Sequence, residues 1–103
     1  MILYVAGPMT GLPEFNYPAF NAAADELRAK GHYVRNPADI EALNTTGALK
    51  EWRWYMRHAI TMVAGAEGLA MLPGWENSRG ARLEHAIGVA LELDIHPVWW
   101  WTA

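Results

Sequence analysis

The feature that most constrains this chain is a strand, loop and helix pattern between residues 68 and 93. The apolar run 68–72 predicts a buried strand, and Pro73-Gly74 ends it. A small polar loop follows, and the spacing from Asn77 or Ser78 to Leu93 is typical of an amphipathic helix. Backbone N–H groups at a helix start lack partners, and the helix dipole favours an anion there. The pattern therefore predicts an anion-binding loop, with the carboxylate of Glu84 behind it, and suggests chemistry on a nucleotide or nucleoside.

Composition excludes several classes of protein. The chain has 103 residues, 52% of them hydrophobic and 18% charged, which predicts one globular domain over residues 1–103. A net charge of −3 argues against binding to nucleic-acid polymers, and the absence of cysteine excludes disulfides and cysteine-based zinc sites. The short apolar run 2–6 has no basic segment before it. We therefore expect no signal peptide, no membrane partner and a cytoplasmic location.

Strand and helix patterns alternate along the chain. Apolar runs predict strands at 2–6, 32–35, 67–72 and 95–100, and Pro97 suggests that the last strand lies at a sheet edge. Helical spacing predicts helices from 16 or 17 to 30, from 48 to 64, and from 77 or 78 to 93. Residues 44–47 are expected to form an exposed loop. This order predicts an α/β sandwich with a four-stranded parallel sheet.

Ligands in such folds bind at the carboxyl ends of the strands. Three predicted loops, 7–15, 36–47 and 73–78, follow strands at that edge. They bring together a set of candidate residues: Gly7, Asn36, Asp39, Trp75, Ser78 and Glu84.

Glu84 is the strongest candidate for a functional side chain. A capping box would need an acidic residue three positions after Ser78, but that position is Ala81. Glu84 instead shares a helical stripe with Ile87 and Gly88, which predicts that it is buried or faces a pocket. Burial raises the pKa of a carboxyl group unless the group is paired. A structural role and a functional role both remain open on this pattern.

Ser78-Arg79-Gly80 and Tyr4 each allow two interpretations. The segment 78–80 is either an ordinary helix N-cap or a phosphate site in which Gly80 permits close backbone approach. Tyr4 is either a core aromatic residue or a phenol that bonds a carboxylate or a ribose hydroxyl.

Metal and nucleophilic-serine chemistry have no support. The four histidines, at 32, 58, 85 and 96, lack metal-ligand spacing, so we expect no metal site. The chain has no Gly-x-Ser-x-Gly elbow, and the segment 7–11 is neither a phosphate-binding P-loop nor a dinucleotide fingerprint.

Three consecutive tryptophans, Trp99-Trp100-Trp101, lie near the C-terminus. In a strand, adjacent side chains point to opposite faces, so at least one of these rings needs cover from elsewhere. We expect a second subunit to bury the ring that the sheet leaves exposed.

Several blocks together resemble the nucleoside 2-deoxyribosyltransferase-like superfamily, specifically a branch of small phage and bacterial proteins. The blocks are Tyr-Val-Ala-Gly-Pro-Met-Thr-Gly at 4–11, Asn-Pro at 36–37, Leu-Pro-Gly-Trp at 72–75, and Ser-x-Gly-x-x-x-Glu at 78–84. The resemblance covers nearly the whole chain, and the superfamily also contains 2′-deoxynucleoside 5′-phosphate N-hydrolases. It implies a flavodoxin-like or Rossmann-like three-layer sandwich, and a homodimer or larger homo-oligomer.

The resemblance also implies roles for single residues. Glu84 would attack the anomeric carbon and form a glycosyl-enzyme ester, as in retaining glycosidases, and Tyr4 would orient it. Ser78 and Gly80 would hold a 5′-phosphate, without metal or organic cofactor. Trp75 and Met9 would line the base pocket. The other expected substrate-binding residues are Gly7, Pro8, Gly11, Asn36, Asp39 and Arg79.

The chain departs from the family pattern at three places. Ala59 occupies the position of an Asp on the second helix, eight residues before Glu67, which matches a later Asp. Gly74-Trp75 replaces an Asp after the third strand, and Thr10 replaces an Arg of the first loop. Asp39 is a candidate substitute for the missing carboxylate. Two alternatives to an enzyme therefore stay open: a catalytically inactive nucleotide-binding module, and an interaction domain that uses its tryptophan-rich end.

Overall fold

A computed structural model of the protein describes all 103 residues. The strands are β1 (Ile2–Ala6), β2 (Tyr33–Arg35), β3 (Gly68–Met71) and β4 (Asp94–Pro97). The α-helices are α1 (Tyr17–Ala29), α2 (Trp52–Ala64), α3 (Arg79–Ala90) and α4 (Val98–Thr102). Short 3₁₀ turns cover Pro13–Asn16, Pro37–Leu43 and Trp75–Asn77.

The four strands form one parallel sheet in the order β2-β1-β3-β4. This confirms the predicted α/β fold with a parallel sheet, and the edge position predicted for the last strand. The order matches the first four strands of the flavodoxin-like arrangement. The strand that follows β1 in sequence, β2, pairs with one edge of β1, and the next strand, β3, pairs with its other edge. The carboxyl ends of β1 and β3 therefore flank the switch point at which ligands bind in such folds.

Alternate side chains of β1 enter different cores because strand residues point to opposite faces in turn. Leu3 and Val5 join the core beneath α1 and α4, together with Phe20 and Trp101. Tyr4 and Ala6 join the core beneath α2 and α3. Helices thus cover both faces, in three layers.

Gly88 allows α3 to approach the sheet closely. A Cβ atom at this position would lie 2.6 Å from Cδ1 of Leu69 on β3 and 3.2 Å from Cδ1 of Ile95 on β4. This packing fixes the helix face that carries Glu84 against the central strands.

The C-terminal segment differs from its predicted strand. Strand β4 stops at Pro97, and residues 98–102 turn into α4. Proline lacks an N–H group for the ladder, and Pro97 instead precedes the helix at the N-cap. Helical geometry then directs Trp101 into the core, where its indole N–H donates to the Leu69 carbonyl at 3.0 Å. The rings of Trp99 and Trp100 remain exposed.

Two other element limits also differ from prediction. Helix α2 begins at Trp52 instead of residue 48, and α3 ends at Ala90, before Glu92 adopts a left-handed conformation with φ 59°. Much of the segment 36–47 forms the 3₁₀ turn Pro37–Leu43. None of the helices is long and apolar enough to cross a bilayer.

Candidate functional site

A buried hydrogen-bonded pair joins the central strand β1 to helix α3. The Tyr4 hydroxyl on β1 donates to Oε2 of Glu84 on α3. Tyr4 is fully buried, and Glu84 is 5% exposed. The prediction that Glu84 is buried, from its place on the stripe with Ile87 and Gly88, is therefore confirmed. Two polar side chains 80 positions apart in the sequence meet inside a core that is otherwise largely apolar.

Burial shifts the protonation of both groups. It raises the pKa of the Glu84 carboxyl to about 8, although the Tyr4 hydrogen bond acts in the opposite direction. Burial, and then the nearby Glu84 charge, raise the pKa of Tyr4 well above its usual value. Near pH 7 the Tyr4 phenol therefore keeps its proton, and the Glu84 carboxyl is mostly protonated. A carboxyl poised near neutral pH can act as an acid, or as a nucleophile once it is ionised.

The loops after β1 and β3 lie side by side at the switch point. A Cβ atom on Gly7 would lie 2.7 Å from the Leu72 side chain, and one on Gly74 would lie 3.5 Å from Pro8. The Asn16 side-chain amide donates to the Pro8 carbonyl at 3.0 Å, which folds residues 13–16 back onto the loop 7–12. Gly7 and Pro8 are thus at the predicted edge.

Two other residues of the first loop, Met9 and Gly11, have different surroundings. Met9 packs against the core under α1 and α4, on the opposite side of the sheet from Tyr4. Gly11 is exposed, with a φ of 83° that favours glycine.

The start of α3 has the geometry of an ordinary N-cap. The Ser78 hydroxyl accepts from the Ala81 amide at 3.2 Å. The amides of Arg79 and Gly80 have no partner within the helix because they belong to its first turn. A Cβ atom on Gly80 would lie 3.2 Å from the sulfur of Met56, so this glycine allows α2 and α3 to pack closely. Its role in helix packing is independent of any role in anion binding.

Arg79 and Trp52 place a positive charge beside these free amides. The Arg79 guanidinium lies 3.9 Å above the centre of the Trp52 ring, a cation–π arrangement. The starts of α2 and α3 therefore meet at one corner of the carboxyl edge of the sheet.

Asn36 and Asp39, after β2, have different environments. Asn36 is buried, donates to the Asn21 side chain at 2.9 Å and accepts from the Ala38 amide at 3.1 Å. Asp39 is exposed and forms no hydrogen bond with Tyr4 or Glu84. Asn36 therefore holds the turn in place.

Sequence reasoning missed Glu41 on the same turn. Its carboxylate accepts from the Tyr55 hydroxyl of α2 and from the Asn44 side chain at 3.2 Å. The hydrogen bond from Tyr55 to Glu41, together with burial, raises the pKa of Tyr55 to about 12. The pair joins the turn Pro37–Leu43 to α2. No spacing rule identifies it, because the two residues belong to different elements.

Neither Ala59 nor Glu67 supplies a second carboxylate to the Tyr4–Glu84 pair. Ala59 is buried in the same core as Tyr4, so no second carboxylate approaches from α2 at this position. Glu67 accepts from the Ile2 amide at 2.7 Å. It therefore lies at the amino end of β1, at the other end of the sheet from the candidate site.

A wide surface groove lies elsewhere. It has a volume of about 820 Å³ between α1, α4 and the ends of β3 and β4, and neither Tyr4 nor Glu84 lines it. Trp75 alone among the predicted substrate-binding residues lines this groove, and its ring stacks on His85 with a centroid separation of 4.3 Å. We place the candidate site at the Tyr4–Glu84 pair, because its two polar groups are buried and hydrogen-bonded, whereas every titratable side chain that lines the groove is exposed or half-buried. No group of three potential metal ligands is present.

Comparison with known proteins gives a family but no activity. No curated protein matches the chain. The model of a domain of unknown function, DUF4406, matches residues 1–96. That match includes β1, β2, β3, the first three residues of β4 and the Tyr4–Glu84 pair, but not α4. The chain thus belongs to the DUF4406 family.

Proposed function

We propose that this protein cleaves or transfers the N-glycosidic bond of a nucleoside or a nucleoside 5′-monophosphate, with Glu84 as the nucleophile. The observation that carries the proposal is the buried hydrogen bond between Tyr4 and Glu84 beside the switch point of the sheet. The resemblance to the nucleoside 2-deoxyribosyltransferase-like superfamily supports it, since the matching residues there form the nucleophile and its partner.

The proposed reaction has two steps. In the first, an ionised Glu84 oxygen bonds to the anomeric carbon while the bond from that carbon to the base nitrogen breaks. The electron pair leaves with the base, which takes a proton from solvent. In the second, a water oxygen bonds to the anomeric carbon, releases Glu84 and gives its proton to solvent. A second base in place of water gives transfer.

Tyr4 supports this chemistry by fixing one carboxylate oxygen. Its raised pKa keeps the phenol protonated near neutral pH, so it can donate a hydrogen bond to the ionised carboxylate. The donated hydrogen bond holds Oε2 of Glu84 and leaves Oε1 free to attack.

The start of α3 supports binding of a phosphate. The first-turn amides of Arg79 and Gly80 and the Arg79 charge lie six or fewer residues before Glu84, at the carboxyl edge of the sheet. A helix start with free amides favours an anion. Neither a metal nor an organic cofactor has a part in the proposed steps.

A second candidate function is a catalytically inactive nucleotide-binding module. Two observations favour it: Ala59 is an apolar core residue where the superfamily has an acid, and the Glu84 carboxyl is mostly protonated near pH 7. General acid help is worth about 10²–10⁴-fold in rate. Without it, the first step depends on solvent for its proton.

We also propose that the protein assembles as a homo-oligomer through Trp99 and Trp100. These rings are 69% and 46% exposed on α4, and aromatic residues are enriched in the cores of protein interfaces. A monomeric mass in sedimentation equilibrium at micromolar concentration would contradict this.

The deciding experiment is chromatographic detection of free base. Wild type, Glu84→Gln and the exposed-residue control Glu76→Gln are each incubated with the common ribo- and deoxyribonucleosides and their 5′-monophosphates. We expect base from wild type and Glu76→Gln, and a loss of at least about 10³-fold in Glu84→Gln, because a nucleophile is removed. The wild-type rate should rise with pH up to about 8, as the Glu84 carboxyl ionises.

The other outcomes separate the two candidates. Absence of base release, together with calorimetric binding of a monophosphate, would establish the inactive module. Absence of both release and binding would overturn both functions.

A further inference from the structure

A strained turn lies between the first loop and α1, at the carboxyl edge of the sheet. Three consecutive residues, Glu14, Phe15 and Asn16, have left-handed backbones with φ of 53°, 52° and 61°. A residue with a side chain adopts this conformation at a cost, and a run of three is rare. Such strain is found mainly at functional sites, where the surroundings hold it.

Packing does not compensate for the strain. Phe15 is 58% exposed, so its ring gains little from burial. Its ring centre lies 5.8 Å from that of Tyr17. The turn is held by the Asn16 hydrogen bond to the Pro8 carbonyl and by the Phe15 amide, which donates to Leu12 at 3.0 Å.

The position of the turn is defined by its neighbours. Pro8 follows β1 by two residues and lies next to Gly74 in the loop after β3. Asn36, at the start of the turn Pro37–Leu43, donates to the Asn21 side chain of α1 at 2.9 Å, so this turn lies against the helix that follows the strained segment. Residues 14–16 therefore lie among the three loops at the carboxyl edge of the sheet.

The Tyr4–Glu84 pair needs an opening before a substrate can reach it, because both residues are buried. A planar base also needs a ring to stack on, and Trp75 already stacks on His85 beside the separate groove. Phe15 is an exposed aromatic ring at the carboxyl edge with no stacked partner.

We infer that residues 13–16 form a lid whose Phe15 ring covers and stacks on the planar base of the bound nucleotide. The inference rests on the proposed function, since it names the residue that would recognise the base. The strained conformation is the open state of this lid, and closure over the ligand releases the strain.

Calorimetric titration tests the stacking role directly. Wild type and Phe15→Ala are titrated with the common nucleoside 5′-monophosphates and, as a probe without a base, with ribose 5-phosphate. Loss of one stacking contact should weaken monophosphate binding by about ten- to a hundredfold. The affinity for ribose 5-phosphate should be unchanged. Phe15→Trp should retain monophosphate affinity, and all variants should fold because Phe15 is exposed.

A matched pair of glycine variants tests the lid. Glu14→Gly and Glu92→Gly each place glycine at a left-handed position, so each should raise the unfolding temperature. Only Glu14→Gly relieves strain in the open lid, so it alone should weaken monophosphate binding, by severalfold. Equal binding by Glu14→Gly and Glu92→Gly would overturn the lid.

The outcomes distinguish this inference from the function beneath it. Wild type that binds neither monophosphates nor ribose 5-phosphate overturns the proposed function and the lid together. Wild type that binds monophosphates, with equal affinity in Phe15→Ala, overturns the role of Phe15 alone. Equal weakening for monophosphates and ribose 5-phosphate also overturns it, because the ring would then not act through the base.

Discussion

The two faces of the central sheet are built from the same strands but differ in chemistry. The face under α1 and α4 is an apolar core in which even the Trp101 indole N–H has a backbone partner. The face under α2 and α3 contains Tyr4, and the Glu84 carboxyl bonds to it there. Leu3 and Tyr4 are adjacent in β1, but their side chains point to opposite faces of the sheet and so enter these two different environments.

This difference shows that the face under α1 and α4 stabilises the fold, whereas the buried carboxyl on the face under α2 and α3 lowers stability when it ionises. Burial of apolar side chains stabilises the first face at every pH. On the second face, a buried carboxyl must stay protonated or accept the cost of an uncompensated buried charge. A carboxyl retained at this cost is the feature that suggests chemistry.

The largest expected effect concerns the apolar face. Phe20→Ala removes a fully buried ring from the core under α1 and should lower the free energy of unfolding by about 3–5 kcal/mol. The loss should be the same at pH 5 and at pH 7, because no titratable group is involved. Urea unfolding at both pH values measures it. The exposed-ring control Phe15→Ala should change stability by less than about 0.5 kcal/mol.

The next largest effect is a pH dependence of stability that we expect from Glu84, on the face under α2 and α3. The folded pKa of Glu84, about 8, lies above its unfolded value, so the native state holds a proton that the unfolded chain releases. The resulting stabilisation is fully present below the unfolded pKa and is lost as the pH rises towards 8. Wild-type stability should therefore fall by about 2–3 kcal/mol between pH 5 and pH 7 from this group.

Glu84→Gln should remove that pH dependence, since glutamine still accepts from Tyr4 and cannot ionise. Urea unfolding at several pH values compares wild type, Glu84→Gln and the exposed control Glu76→Gln, which should keep the wild-type slope. Parallel pH profiles for wild type and Glu84→Gln would refute the raised pKa and, with it, the contrast between the faces.

The smallest effect separates a structural role from a binding role at the start of α3. Ser78→Ala removes the side-chain acceptor for the Ala81 amide and should cost about 1 kcal/mol in thermal unfolding. Ser78→Asp keeps a capping oxygen, so its stability should stay close to that of wild type. Its negative charge should nevertheless weaken binding of a nucleoside monophosphate. Unchanged binding in Ser78→Asp would leave Ser78 as a cap alone.

Local patterns predicted much of this fold. Alternation of strand and helix gave the parallel sheet, Pro97 indicated the edge strand, and the stripe shared with Ile87 and Gly88 indicated that Glu84 is buried. These features depend on residues close together in sequence. The C-terminal tryptophans were misassigned because a run of apolar residues suits a strand or a buried helix equally well. The site was less predictable: the Glu41–Tyr55 pair, the environment of Met9 and the left-handed turn depend on neighbouring elements.

The sequence by itself determined the order of elements and the α/β architecture with a parallel sheet, and it predicted that Glu84 is buried or faces a pocket, since hydrophobic spacing acts within one helix or strand. Only the tertiary structure decided how deeply the Tyr4–Glu84 pair is buried, and that this burial raises the pKa of Glu84 to about 8. Both depend on every element packed around the pair, because that packing removes the carboxyl group from water. It also decided that Trp101 is buried while Trp99 and Trp100 stay exposed, because the turn after Pro97 sets the helical phase of all three.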